Sequence, residues 1–422
     1  MSVIAQTSLG LIVIVIYQLI RACLGPSFKE VRVDQDALPL AGITVIEFTH
    51  MVMGPSVGVI LADLGADVIK VEPHGGDATR RLLGSGAGYF PMFNRNKRSI
   101  CLDLKSEAGL TVAKRLCAGA DIVVENFRPG TLDRLGLGYA ALSQDNPGLI
   151  HCAAKGFLKG PYEKRTALDE VTQMMGGLAY MTGPPGRPLR AGASVIDITG
   201  GMFGVIGVLA ALERRHRTGR GGEVKCALFE TTAFLVGQHM AQMAVTGQAA
   251  QPMPVRISAW AIYDVFETAN EGEQLFVGVV SDGQWVAFCA AFGLDELGAD
   301  PALAKNNARV LARDAILPHV RALFAAMDRA ALVAKLETVG LPFAPIARPD
   351  ELFDDPHLTA SGGLMDVTVP GGAATRLPGL PIEFDGERAP LRRDIPEAGA
   401  DGAAILRDLG YDEDVITALT AP

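Results

Sequence analysis

The sequence predicts an α/β protein with two domains, a large one built on a parallel β-sheet and a smaller α+β one. From residue 38 onward, short apolar segments alternate with helical segments, and such strands belong to parallel sheets covered by helices on both faces. The chain has 422 residues, which is more than one ordinary core organises. The alternation of strand and helix patterns is interrupted near residue 251 by the run QPMP. We therefore expect a domain boundary at that point.

The large domain is assigned to residues 38–250, in which strands and helices follow one another. The predicted strands lie at 43–48, 67–72, 121–125, 149–153 and 223–229. The predicted helices lie at 54–64, 107–117, 199–215 and 231–245. Gly65 stands where a glycine commonly ends a helix, and the basic, glycine-rich run at 217–222 ends the longest helix.

The smaller domain is assigned to residues 251–350, and the segment 351–422 is expected to return to the large domain. Segments 260–269 and 274–280 predict a hairpin around Asn270-Glu271-Gly272, and helices follow to about Gly340. Short strands, Gly- and Pro-rich turns and a terminal helix make up the rest of the chain.

Residues 1–37 form an N-terminal extension whose nature is open. Its apolar run at 9–20 is interrupted by Arg21 and is shorter than the roughly 20 residues that a membrane-spanning helix needs. It also lacks a basic leader and a clear cleavage site. A signal-like anchor, a packing helix and residues upstream of the true start are the three readings. We expect no membrane partner.

Composition and charge exclude several classes of protein. Hydrophobic residues make up 49% and charged residues 20% of the chain, so it is not a disordered protein. The net charge of −9 and the lack of a long basic run argue against a nucleic-acid partner. The six cysteines and seven histidines show no metal-ligand spacing, so no metal site is predicted. Scattered cysteines in a chain of this size favour a reducing, cytoplasmic location.

Two acids stand among apolar and glycine neighbours, at the start of helical segments. Asp169 opens an apolar run, and Asp197 precedes the longest helix. Each could be an ordinary helix N-cap. Each could equally be a desolvated and oriented carboxylate with room beside it for a bulky thioester. The first βα turn at 49–55 lacks the G-x-G-x-x-G spacing of a dinucleotide site.

Several ordered motifs from Leu38 to about Val415 resemble the family III CoA-transferases, the CaiB/BaiF family that contains formyl-CoA transferase. The motifs are LPLAG at 38–42, LADLGADVIKVEP at 61–73, NRNKRSI at 94–100, LDLK at 102–105, VENFRPG at 124–130, RTGRGG at 217–222 and DDP at 354–356. Their joint order over about nine tenths of the chain carries the resemblance.

The resemblance implies a Rossmann-like large domain, a small domain, and two subunits threaded through each other as interlocked rings. The partner subunit is then either a second copy or a close paralogue. Coenzyme A is the substrate carrier, and no cofactor is bound permanently. Asp197 matches the aspartate that attacks the acyl-CoA thioester, while Asp169 matches a supporting acid, a glutamate in formyl-CoA transferase.

The resemblance also places coenzyme A along the ends of the parallel strands. The positions that match its binding residues are His50, Leu102, Lys105, Asn126, Phe127 and Arg134. We add Arg128, because a guanidinium group suits phosphates. For each of these lysines and arginines, an ordinary solvated surface charge remains the alternative.

Departures from formyl-CoA transferase bear on the substrate. Val52 replaces its first-turn glutamine, and its tetraglycine loop has no counterpart at 255–259. Segment 166–201 is closer to relatives that pair succinyl-CoA with another dicarboxylic acid, such as benzylsuccinate or a C4–C5 dicarboxylate. An α-methylacyl-CoA racemase is the rival, but racemases carry a histidine where Leu168 stands, and leucine transfers no proton. One subunit of a heteromeric CoA-transferase is a further alternative.

Overall fold

A computed structural model describes residues 38–369, 371–372 and 374–420 of the chain. The apolar run of the N-terminal extension lies outside the described residues. The prediction of an α/β protein with a parallel sheet is confirmed.

The large domain is organised around a six-stranded, all-parallel sheet. Its strands are β1 (Thr44–Phe48), β2 (Asp67–Glu72), β3 (Lys97–Cys101), β4 (Ile122–Glu125), β5 (Ile150–Lys155) and β6 (Gly222–Ala227). They lie in the order β3-β2-β1-β4-β5-β6, and every neighbouring pair is parallel. This is the doubly wound order, in which strands are added to one side of β1 as far as β3 and then to its other side from β4 onward.

The helices of the large domain cover both faces of this sheet. They are α1 (Met53–Asp63), α2 (Tyr89–Phe93), α3 (Glu107–Ala118), α4 (Thr131–Arg134), α5 (Tyr139–Asp145), α6 (Asp169–Met175), α7 (Leu178–Thr182), α8 (Val195–Thr218) and α9 (Leu228–Thr246). Short 3₁₀ turns lie at Ala78–Arg81 and Gly84–Gly88. On one face, Val57 of α1 and Val208 of α8 pack against the strands. On the other, Val112 and Leu116 of α3 do so.

Strand β3 is absent from the sequence-based prediction because its residues are not apolar. Lys97 and Ser99 are almost completely buried in it, and their polar groups are satisfied by buried partners rather than by water. Helix α8 also begins four residues earlier than predicted, at Val195 instead of residue 199. The earlier start places Asp197 inside the first turn of the helix.

The starts of α1 and α8 are held in close contact by glycines. A Cβ atom at Gly201 would lie 2.7 Å from the Cβ of Ser56, and one at Gly200 would lie 2.8 Å from the Cε of Met53. Ile198 packs on the cluster that contains Val52. The first turn of α8 therefore lies beside the turn that joins β1 to α1.

Helix α8 is the one described helix that is long and apolar enough to cross a membrane by length and composition. It packs here against α1, β5 and β6, and its buried residues include Ile196, Val205 and Val208.

The second domain has its own sheet and its own core. An antiparallel sheet joins β7 (Tyr263–Glu267), β8 (Gln274–Gly278) and β9 (Phe343–Pro345). Its helices are α10 (Asp282–Phe292), α11 (Asp295–Ala299), α12 (Asn306–Leu311), α13 (Arg313–Ala325) and α14 (Arg329–Val339), with a 3₁₀ turn at Pro301–Leu303. Trp285, Phe288 and Phe324 are buried at the centre of this domain.

The last segment of the chain packs on the large domain. After a 3₁₀ turn at Pro349–Asp354, it contains α15 (Pro356–Ala360), β10 (Leu364–Thr368), β11 (Ala374–Pro378), β12 (Glu383–Phe384), β13 (Glu387–Arg388), α16 (Gly402–Asp408) and α17 (Glu413–Thr420). Ile405 and Leu406 of α16 join the core beneath α3. The guanidinium of Arg392 donates hydrogen bonds to the carbonyls of Ala62 and Ala66, at 2.6 and 2.8 Å.

Candidate active site

The carboxyl ends of β1 and β4 meet where the strand order reverses, and open α/β sheets bind ligands at such a point. His50 follows β1, and Asn126 follows β4. The His50 N–H donates to Asn126 Oδ1 at 3.0 Å, and Asn126 Nδ2 donates to the His50 carbonyl at 2.8 Å. The ring of Phe127 stacks on His50 with a centroid separation of 5.6 Å. Three of the predicted site residues are thus in contact.

A groove leads away from these residues in two directions. On one side is a cavity of about 650 Å³ whose lining includes His50, Leu102, Lys105 and Phe127. On the other side is a cavity of about 450 Å³ that shares His50 and Phe127 and reaches Leu168. A long, flexible ligand can therefore lie along the sheet edge and end beside Leu168, the residue that precedes Asp169.

The predicted cationic residues do not all reach this groove. Lys105 lines the larger cavity, and Arg128 lines the smaller one. Arg134 lines neither of the two, and its guanidinium donates to Thr131 Oγ1 at 3.4 Å on the exposed side of α4. Lys105 and Arg128 are therefore better placed than Arg134 to meet a bound anion.

Buried charges lie directly beneath the β1–α1 turn. Glu47, Lys70 and Lys97 are fully buried. Lys97 Nζ donates to Glu47 Oε1 at 2.9 Å and to the Pro55 carbonyl at 3.1 Å, while Lys70 Nζ donates to the Thr49 carbonyl at 2.7 Å. Burial lowers the pKa of Lys97 to about 8. The two ammonium groups hold both ends of the turn that carries His50.

The sequence-based analysis missed this buried network, although a signal was present. Glu47 and Lys70 interrupt otherwise apolar strands, and a charge in such a strand needs a buried partner. What the sequence does not indicate is which residue supplies it, because Glu47 and Lys97 are 50 residues apart.

The two candidate acids lie together at the start of α8. Asp169 is 3% exposed, and its Oδ2 accepts hydrogen bonds from the backbone N–H groups of Ile196 and Asp197, at 2.8 and 3.1 Å. Asp169 therefore caps α8 from another segment rather than its own helix. Asp197 caps neither helix: it sits in the first turn of α8, and among the described residues no group donates a hydrogen bond to its carboxyl.

The electrostatic surroundings of Asp197 suit a reactive carboxyl. Burial and the nearby carboxylate of Asp169 raise the pKa of Asp197 to about 7, an effect that Arg190 partly offsets. Burial removes water from around a carboxylate. The ionised group is then less stabilised by solvation and is a stronger nucleophile. At neutral pH Asp197 is therefore close to its point of half-ionisation.

Two further polar residues at this site were not predicted. Gln173, one turn after Asp169 in α6, is fully buried against that acid. Arg190 forms an ion pair with Glu170. In the part of the chain that the structure describes, no group of three or more His, Cys, Asp or Glu side chains is placed to hold a metal ion.

A family model, related sequences and a solved structure all match this chain over most of its length. The family model for CoA-transferase family III matches residues 40–402. The chain is similar to a succinate–glutarate CoA-transferase of Agrobacterium fabrum, with 35% identity covering 88% of this chain and 96% of the relative. It is also similar to an acetyl-CoA:oxalate CoA-transferase of Acetobacter aceti, with 33% identity covering 89% and 97%. A CaiB/BaiF family protein from Brucella suis has a solved structure that matches with a TM-score of 0.75 and 35% identity, over 88% of this chain and 99% of that one.

Proposed function

We propose that this chain, which belongs to CoA-transferase family III, moves coenzyme A from an acyl-CoA to a dicarboxylic acid through a covalent intermediate on Asp197. As a CoA-transferase it acts on CoA thioesters and carboxylates. The observation that carries the finer proposal is the half-buried carboxyl of Asp197 in the first turn of α8, a turn whose backbone N–H groups are held by Asp169.

The chemistry needs only this carboxylate and the thiolate of the carrier. The Asp197 carboxylate attacks the donor thioester carbonyl, CoA thiolate leaves, and a mixed anhydride forms. The thiolate then attacks the aspartyl carbonyl, which releases the donor acid and leaves an aspartyl-CoA thioester. The acceptor carboxylate attacks that thioester to give a second anhydride and free thiolate. Attack of the thiolate on the acceptor carbonyl yields the new acyl-CoA and restores Asp197.

Three features support a dicarboxylic acid as substrate. The names of the two relatives above include succinate, glutarate and oxalate, which are dicarboxylic acids. Arg190 lies close enough to Asp197 to act on its ionisation, and a second carboxylate of the substrate would share that guanidinium with Glu170. Val52, which stands where formyl-CoA transferase has a glutamine, argues against formyl and oxalate as substrates and so favours a longer dicarboxylic acid. Of these acids, succinate and its C4–C5 analogues are preferred over oxalate.

The experiment that tests this function is mass spectrometry of the CoA esters formed from succinyl-CoA and a panel of acids. The panel contains glutarate, methylsuccinate, benzylsuccinate, oxalate and acetate. We expect new CoA esters of the C4–C5 or substituted dicarboxylic acids, and little of acetyl- or oxalyl-CoA. Formation of acetyl-CoA at the highest rate would contradict the proposed substrate class but leave the transferase activity intact.

The racemase alternative makes a separate prediction, because it depends on a base at position 168. Leu168 lines the smaller cavity and has no proton to transfer. In deuterated water, the protein is expected not to exchange the α-proton of a 2-methylacyl-CoA. Rapid exchange without any acyl transfer would identify a racemase instead.

The rate of transfer is expected to rise with pH through neutrality, because only ionised Asp197 attacks. With the pKa of Asp197 raised to about 7, kcat should climb between pH 6 and 8. Asp169→Asn keeps an oxygen that accepts from the N–H groups of α8 but removes the neighbouring negative charge. The pKa of Asp197 then falls, and the rising limb moves to lower pH. Asp145→Asn, an exposed acid of α5, is the control and should leave the pH profile unchanged.

Lys105→Ala is expected to raise KM for the acyl-CoA about tenfold, with kcat nearly unchanged, because a charged contact to a remote part of the substrate is lost. Arg134→Ala should have a smaller effect, since Arg134 lies outside the groove. Steady-state kinetics with varied acyl-CoA measures both. Lys114→Ala, an exposed lysine of α3, is the matched control. An unchanged KM in the Lys105 variant would show that Lys105 is an ordinary solvated surface charge.

We also propose that two chains interlock, either two copies or one copy with a paralogue, in a cytoplasmic protein. Exposed apolar side chains on α8 and α9 support a covering partner, with Ile206 58%, Phe234 71% and Val245 86% exposed. The five described cysteines are free thiols, as in a reducing compartment. Analytical ultracentrifugation should show a dimer that persists on dilution without unfolding. A folded monomer in ready exchange is the contrary result.

A further inference from the structure

The buried amide of Gln173 has only one orientation that its surroundings permit. Gln173 is fully buried, and its Oε1 accepts a hydrogen bond from the backbone N–H of Ala191 at 2.8 Å. A backbone N–H can only donate, so the amide oxygen has to face Ala191. The amide nitrogen then faces Asp169 Oδ1 and donates to it.

Asp169 consequently meets hydrogen-bond donors on both of its oxygens. Oδ1 accepts from Gln173, and Oδ2 accepts from the N–H groups of Ile196 and Asp197. A protonated carboxyl would have to donate a hydrogen bond of its own, and none of these three partners can accept it. The arrangement therefore suits a charged Asp169, and that charge acts on the neighbouring carboxyl of Asp197.

Gln173 also binds the segment that leads into α8. Ala191, which Gln173 binds through its Oε1, precedes Val195, the first residue of α8, by only four positions. Through Asp169 the same glutamine reaches the N–H groups of the first turn of α8. One side chain thus connects α6, the entry segment and the helix start that carries Asp197.

We propose that Gln173 is a positioning residue for the transfer reaction, which keeps Asp169 a pure hydrogen-bond acceptor and so fixes both the place and the ionisation of Asp197. The inference rests on the proposed function of Asp197. The ionisable groups that act on Asp197 are Asp169 from α6 and Arg190 from the segment before α8, and Glu170 of α6 pairs with Arg190.

The test compares two variants that separate charge from shape. Gln173→Glu has nearly the same shape, but it can donate to Asp169 only when protonated, and otherwise it adds a third negative charge. We expect its rate–pH limb to move up by about one pH unit, with KM for acyl-CoA unchanged. Gln173→Leu removes both hydrogen bonds and should lower kcat by about tenfold or more, again without a change in KM. Gln284→Glu is the matched control, because Gln284 Oε1 also accepts a backbone N–H, that of Val280, but in the small domain.

The readout is the pH dependence of hydroxylamine labelling at the peptide that contains Asp197, measured beside kcat and the fraction of folded protein. A purely structural role for Gln173 would lower the amount of active enzyme and leave the pH midpoint where it is in the unaltered protein. An unchanged midpoint in Gln173→Glu, with labelling normal in the unaltered protein, would overturn the inference. Absence of labelling at Asp197 in the unaltered protein would overturn the proposed function instead.

Discussion

Asp197→Asn is expected to lower the rate of CoA transfer by roughly 10⁴-fold while the protein stays folded and still binds acyl-CoA. Asparagine has the shape of aspartate but no anionic oxygen to attack a thioester. Its folding cost should be small, because Asp197 is half-buried and α8 is capped by Asp169 rather than by Asp197 itself. The neutral side chain also relieves repulsion with Asp169.

Three measurements separate loss of chemistry from loss of structure. Transfer is followed by mass spectrometry of the CoA esters, binding by calorimetry with acyl-CoA, and the intermediate by hydroxylamine labelling of the Asp197 peptide. The unaltered protein should be labelled after incubation with acyl-CoA, and the variant should not. Asp169→Asn is the paired control and should remain labelled at Asp197. Robust transfer by Asp197→Asn would exclude Asp197 as the nucleophile and make Asp169 the next candidate.

Glu47→Ala is expected to lower the free energy of unfolding by about 3–5 kcal/mol, the cost of leaving a buried charge without its partner. Glu47 is fully buried and contacts two buried ammonium groups, Lys97 at 2.9 Å and Lys70 at 3.8 Å. Lys70 keeps Asp77 at 3.2 Å, whereas Lys97 loses its closest carboxylate. Gly58 leaves the space that Glu47 fills, since a Cβ atom there would overlap Glu47 Oε2.

Urea unfolding at one fixed protein concentration measures this loss, because the proposed dimer would couple folding to association. Glu47→Gln, which keeps the volume and removes only the charge, should be less destabilised than Glu47→Ala. The surface control is Glu213→Ala, whose carboxylate is 66% exposed and pairs with Arg217 at 3.5 Å. An exposed pair of that kind contributes at most about 1 kcal/mol. A loss in Glu47→Ala no larger than in the control would show that the buried charges are compensated in another way.

The sequence predicted the parts of the fold that depend on local pattern. Strands β1, β2, β4 and β5 are rich in apolar residues, and helix α1 is followed by Gly65, so these elements were recognisable. Strand β3 was not predicted, because Lys97 and Arg98 look like surface residues until their partners are known. The partner of Lys97 lies 50 positions earlier, and no periodicity connects residues at that separation.

In the candidate site, too, the sequence predicted individual residues but not the contacts between distant segments. Resemblance to a family identified His50, Asn126 and Phe127, and the structure brings these three together. The sequence also indicated Asp169 and Asp197, with a helix N-cap and a reactive carboxylate as the two interpretations of each. Only the folded chain shows that Asp169 caps the helix of Asp197 from 28 positions away. Gln173 carries no sequence signal, because a glutamine in a short helix is ordinary.

The glycine contacts between α1 and α8 fix the position of the first turn of α8 relative to α1. With Gly200 and Gly201 pressed against Met53 and Ser56, the start of α8 has no room to slide along α1. If Asp197 is the nucleophile, as proposed above, its carboxyl lies at a fixed place relative to the turn that carries His50, and a donor thioester has to reach it with a tether of matching length. Short thioesters that lack the nucleotide end should bind weakly and arrive poorly aligned, although their reactive group is the same.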